Sequence, residues 1–112
     1  AIVKSLLFNS GDNFVLCLVS GDKRCSLNKL KKILDEKDVS MANPDDVKKI
    51  TGYTIGGVSP VGHLSKVKIY IDTNLDRFTT VFAAAGHPNC IFKIEFNQLT
   101  KLTAGEIEEI TE

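Results

Sequence analysis

Residues 52–63 read Gly-Tyr-Thr-Ile-Gly-Gly-Val-Ser-Pro-Val-Gly-His, four glycines and a proline in twelve positions. Glycine lets a ligand approach the main chain closely, and proline stiffens the chain it joins. Such a loop either turns its amides on a carbonyl or phosphate oxygen or makes a tight crossover between two elements. It is neither of the common nucleotide fingerprints: no Gly-Lys-Ser/Thr follows, and Gly56-Gly57 is not followed by a third glycine opening a helix. Lys4 stands among Ile2, Val3, Ser5, Leu6 and Leu7. In a strand it shares a face with Leu6 and Phe8, so its cation is either solvated at an edge or lines a pocket. Asp72 precedes Thr73-Asn74, where capping a turn is its ordinary use. Cys25 or Cys90 with His63 or His87 would be a thiol-hydrolase pair, but no local spacing joins them. Two distant histidines predict no metal site.

These residues need a frame. Residues 3–8 and 14–19 are β-type runs around the turn cluster Asn9-Ser10-Gly11-Asp12-Asn13, which predicts a hairpin. The second run is apolar on both faces and therefore central. Ser26 as cap, with Leu27, Leu30, Ile33 and Leu34 at helical spacing, predicts a helix over 26–37. A short strand follows at 39–42. Asn43-Pro44-Asp45-Asp46 then starts a second helix that ends at Gly52. Beyond the glycine loop come strands at 67–71, 79–85 and 90–96, the last two joined by Gly86-His87-Pro88-Asn89. Asn97 caps a short helix to Leu102, and residues 107–110 close as a last strand or fray. The fold class is α/β: a mixed, strongly curved, barrel-like sheet of six or seven strands with a few flanking helices. Regular βαβ alternation is missing.

The 112 residues make one domain, 43% apolar, with a mean hydropathy of +0.01. Fourteen cations balance fourteen anions. A neutral chain is not a general electrostatic binder of nucleic acid, although a pocket for one phosphate remains open to it. Lys23, Arg24, Lys29, Lys31 and Lys32 form a basic stretch, read either as a solvated helix face or as a tRNA-contacting patch. The longest apolar run, Phe14-Val15-Leu16-Cys17-Leu18-Val19, is too short for a membrane span. Three unspaced cysteines predict a reducing compartment, the cytoplasm.

In order along the chain, these segments resemble the YbaK/prolyl-tRNA-editing family. Lys4-Ser5-Leu6-Leu7-Phe8 is similar to the strand bearing that family's key lysine. Thr51-Gly52-Tyr53 running into Gly56-Gly57-Val58-Ser59-Pro60-Val61-Gly62 resembles its glycine-to-proline loop. Ile69-Tyr70-Ile71-Asp72 resembles its next strand and Asp turn, and Val81-Phe82-Ala83-Ala84-Ala85-Gly86 its small-residue strand. Phe96-Asn97-Gln98-Leu99-Thr100-Lys101-Leu102-Thr103 resembles its closing helix. Family members carry an N-terminal helix and strand ahead of the lysine. The resemblance therefore implies a single editing domain over residues 1–112 without them.

The resemblance implies an aminoacyl-tRNA deacylase that clears mischarged tRNA for proline, carrying Cys or Ala, without a cofactor or metal. Lys4 and Gly56 would be the catalytic pair: a fixed cation near the terminal adenosine, and a backbone amide beside the ester. Tyr53, Gly57, Val58, Ser59, Pro60, Gly62, Asp72, Gly86 and His87 would bind substrate, His87 because some prolyl-editing domains use a histidine after the small-residue strand. The partners implied are the tRNA acceptor end and prolyl-tRNA synthetase. Two readings of other classes stand beside it: a non-catalytic module for an acceptor end or nucleotide, and a Cys/His hydrolase.

Overall fold

The computed structural model describes residues 2–87 and 90–112, the side chain of His87 excepted. Pro88 and Asn89 of the expected turn lie outside the described residues. Among the described residues seven strands form one mixed sheet, with three α-helices distributed over its two faces. The strands are β1 (Ile2–Ser10), β2 (Asn13–Ser20), β3 (Val39–Met41), β4 (Lys68–Asp72), β5 (Thr80–His87), β6 (Cys90–Glu95) and β7 (Glu106–Glu108). The helices are α1 (Leu27–Leu34), α2 (Pro44–Thr51) and α3 (Phe96–Thr103). The sheet runs β6-β5-β1-β2-β4-β7, with β3 also on β1, and it stays open rather than closing as a barrel.

The first hairpin forms as the alternation predicts, with Ser10 opposite Asn13 and Gly11-Asp12 between them. From there the pairing becomes non-local. β4 lies parallel to β2 and β7 parallel to β4, while β5 lies parallel to the start of β1. β2 is central and covered on both sides. Leu16 and Leu18 join Val3, Leu7, Ile69 and Ile71 in one core, under Val47 of α2 and Phe96 and Leu99 of α3. Cys17 and Val19 join Phe8, Val15 and Tyr70 in the other, under Leu30 of α1. The period-two alternation of three adjacent strands thus builds two separate cores from one sheet.

Helix ends follow local chemistry. Ser26 Oγ accepts from Lys29 N at 3.2 Å, and Asn43 Oδ1 accepts from Asp46 N at 2.8 Å. α1 stops at Leu34, three residues before its expected end, because Asp35 turns left-handed with its N–H on the Lys31 and Lys32 carbonyls. α3 begins at Phe96 with Glu95 as its cap residue, so Asn97 is not the cap. Burial of Phe96 in the first core sets that start. The turn expected at Asp72-Thr73-Asn74 is the start of a 3-10 helix over Thr73–Arg77, capped by Asp72. Among the described residues no helix is long and apolar enough to cross a membrane, and no group of three or more metal-ligating side chains occurs.

The Asn43 cap holds the helix that brings Val47 over β1. Asn43→Ala leaves the Asp46 amide without its acceptor and is expected to cost about 1 kcal/mol of stability in urea unfolding.

Candidate functional site

The edge of β1 that faces away from β2 is shared by two strands that do not meet. β5 pairs with it only at Ile2 and Val3, and β3 only over Phe8, Asn9 and Ser10. Between them the two neighbours splay apart, and a cavity of about 480 Å³ opens in the fork. Residues 2–7 of β1 form its floor. Ala42 and Val47 close one side, Ala84 and Ile91 the other, and Ile55, Gly56 and Val58 of the glycine loop the roof. The walls are mostly apolar, and Ile2, Met41, Ile55 and Ile91 are more than half exposed around the mouth. Exposed apolar side chains clustered at a concave mouth mark a binding site.

Three of the residues expected to bind or react meet here: Lys4, Gly56 and Val58. Lys4 is exposed at the rim. It also lines a shallow groove with Ser20, Gly21, Asp22 and Phe78, and its Cε lies 3.9 Å from where a Cβ on Gly21 would sit. Asp22, the nearby acid, is already engaged. Ser20 Oγ donates to it and the Arg77 guanidinium donates to both its oxygens at 2.9 and 3.0 Å. The Ser20 bond first, and then Arg77, hold its carboxyl below the usual range. Lys4 makes no ion pair among the described residues. Gly56 lies exposed, and a Cβ there would meet nothing within 4 Å.

The other expected residues that the structure describes are not among those lining the cavity: most build the loop, and Asp72 serves the sheet. Gly57 is buried, and its amide, expected to face substrate, donates to Thr54 O at 2.9 Å. Tyr53 is a staple. Its hydroxyl donates to Val61 O at 2.8 Å; a Cβ on Gly62 would come within 2.7 Å of that hydroxyl, and a Cβ on Gly86 within 2.9 Å of the ring. Those contacts, together with left-handed φ angles of 77° and 92°, suit both positions to glycine. Ser59 is buried, its Oγ accepting from Val61 N and its carbonyl 2.7 Å from His63 Nε2. Pro60 is buried and borders a separate groove with Gly62 and His63. Asp72 is fully buried and ties the C-terminal segment down. Its Oδ1 accepts from Ile110 N at 3.0 Å, its Oδ2 from Thr111 Oγ1 at 2.9 Å and Asn74 N at 3.2 Å. The side chain of His87 lies outside the described residues.

Ser5, Ala42 and Ala84 line the cavity and were not singled out in the sequence, where a serine or alanine in a strand looks unremarkable. The thiol-hydrolase pairing does not form with His63. Cys25 and Cys17 are free thiols, and the hydrogen bond with Cys17 keeps the Cys25 thiol below its ordinary value, while His63 packs edge-on against Tyr53. Of the basic stretch, Lys29 is bound to Glu109 and to Thr111 O, a structural use. A wider concavity of about 830 Å³, beside Arg24, Cys25 and Lys31, is lined by none of the residues expected of the deacylase.

A family model described as the aminoacyl-tRNA editing domain matches residues 1–102. The chain belongs to that family. This editing domain is 40% identical over 92 residues to the proline–tRNA ligase of Lactobacillus acidophilus, which covers 82% of the chain but only 16% of the ligase. It is 33% identical over 107 residues to the uncharacterized protein YwhH of Bacillus subtilis, covering 95% of the chain and 68% of that protein. A crystal structure described as a candidate trans-editing enzyme for prolyl tRNA synthetase superposes with a TM-score of 0.95 at 36% identity, over 99% of this chain and 70% of the other. The editing domain is therefore related to prolyl-tRNA synthetase editing, and its mixed seven-stranded sheet is that family's fold.

Asp72 in this editing domain separates structure from function. Asp72→Ala is expected to cost roughly 2–4 kcal/mol in urea unfolding, because it strands three buried or half-buried donors. A substrate-binding role would instead lower turnover and leave the unfolding midpoint in place.

Proposed function

We propose that this editing domain hydrolyses the ester of mischarged aminoacyl-tRNA, acting in trans on tRNA for proline that carries Cys or Ala. The observation that carries the reading is the fork cavity, where Lys4, with no ion pair among the described residues, joins a mostly apolar lining under the glycine loop. The synthetase relatives supply the link to proline. Lys4 at the mouth suits a terminal phosphate or the polarised ester. The chamber, narrowed by Val47, Val58, Ala42 and Ala84, suits a small side chain and resists a larger one. Such a sieve discriminates by a methylene or two.

Lys4 is the one titratable side chain among the described lining residues. Attack therefore falls to water, to the substrate's own ribose hydroxyl or to a substrate thiol. With water, its oxygen adds to the ester carbonyl, the bond to the ribose oxygen breaks, and free amino acid and tRNA leave. Positioning and the Lys4 field carry most of the rate. Acceptor-end contacts suit a neutral protein, and prolyl-tRNA synthetase is the natural partner. The cytoplasm, where tRNA is charged, is the compartment this activity implies. That no carboxylate or imidazole stands among the described lining residues also favours a second reading, a module that binds the acceptor end without turnover.

The test is release of amino acid from tRNA for proline charged with Cys, Ala or Pro. Cys or Ala is expected to be released and Pro retained, and Lys4→Ala to slow release about 100-fold or more with the fold unchanged. Binding of all three without release by the folded protein would overturn the deacylase and leave the binding module.

A further inference from the structure

Strand β1 alternates its backbone bonds between its two edges. The turn pair Ser10 with Asn13 puts the even-numbered residues on the β2 side, and Leu7 O accordingly reaches the other side, where it accepts from Ala42 N at 3.0 Å. The same alternation sends the N–H and C=O of Ser5 to the forked edge. There β5 has ended at Val3 and β3 has not begun before Phe8. Ser5 thus offers one donor and one acceptor to the cavity floor with no strand opposite. Its Oγ is buried and is the one such side-chain atom with no hydrogen-bond partner among the described residues. Three unsatisfied polar groups on one residue in an apolar cavity call for a ligand.

We propose that Ser5 binds the α-amino acyl group as a single extra strand residue. The inference rests on the deacylase reading and adds how the substrate is held. An aminoacyl ester carries an N–H and a C=O spaced as in any β-residue. Laid in the fork, its ammonium donates to Ser5 O and its ester carbonyl accepts from Ser5 N–H, as in a β-ladder. Ser5 Oγ, one staggered step about χ1 from its buried position, takes a second ammonium proton. Residues paired across a ladder place their side chains on one face. The substrate's side chain then lands on the face of Val3, Ser5 and Leu7, against Val47 and Val58. Ser5 is a positioning residue that reads the α-amine while the valines read size.

The experiment compares tRNA for proline carrying alanine with the same tRNA carrying lactate, which has a hydroxyl in place of the amine. Each rate is divided by that ester's uncatalysed rate. The alanyl ester is expected to be favoured by at least about tenfold in kcat/KM. Ser5→Ala should remove most of that preference by lowering the alanyl rate alone, and Ser5→Thr should restore it. Equal handling of both esters by the wild type, or an equal loss on both in Ser5→Ala, would overturn the inference while leaving the deacylase intact. If neither ester is cleaved, the deacylase reading fails. The inference is then decided by the Ser5 amide NMR signal on adding 3′-alanylamino- or 3′-lactoylamino-adenosine: a shift with the first alone supports it, and no difference between the two overturns it.

Discussion

A strand has two edges, and every backbone group on them must find a partner or face solvent or ligand. β1 meets this demand completely on the β2 side and only at its ends on the other. β5 takes the first two residues and β3 the last three, and they diverge because each answers to a different core. β5 is held by its hairpin with β6, and β3 by the short connection between α1 and α2. The gap left between them is the cavity. Had either neighbour continued along β1, the sheet would be better bonded and the chain would have no pocket there. The binding site is thus a withheld piece of sheet.

The rest of the fold keeps that gap open without letting the molecule come apart around it. Two cores clamp β2 from both faces, so β1 is anchored through its satisfied edge. Tyr53 pins the glycine loop to Val61 and packs on Gly86 of β5, which fixes the roof relative to one wall of the fork. Asp72 binds the chain's last segment across the far end of the sheet. These buried polar bonds lie outside the cavity, and each is a fully satisfied cluster of the kind that specifies one arrangement.

Much of the frame was legible because its signals are local. Gly11-Asp12 between alternating runs gives the hairpin, Asn43-Pro44 the start of α2, and the doubly apolar run at 14–19 the central strand. What could not be read was pairing at long range. Nothing in residues 80–87 announces that they lie parallel to Ile2 and Val3 and stop there, and the fork exists only through that register. The site residues divide by the same rule. Lys4, Gly56 and Val58 reach the cavity, whereas Tyr53, Gly57, Ser59, Gly62, Asp72 and Gly86 serve the loop's and sheet's own bonding. A motif lists residues a loop needs to exist together with those it offers to a ligand, and spacing does not tell them apart. Ser5 stayed hidden because its importance lies in what its neighbours fail to bond.

The open edge of β1 is tested most directly by native-state amide hydrogen exchange along that strand. Lys4, Leu6 and Phe8, bonded to β2, should exchange slowly, near the rate set by global unfolding, while Ser5 between them exchanges orders of magnitude faster and slows when an aminoacyl-adenosine analogue is added. Ser5 protected as strongly as Lys4 and Leu6 in the free protein would mean that the fork is closed by a strand, and the account of the cavity would be wrong.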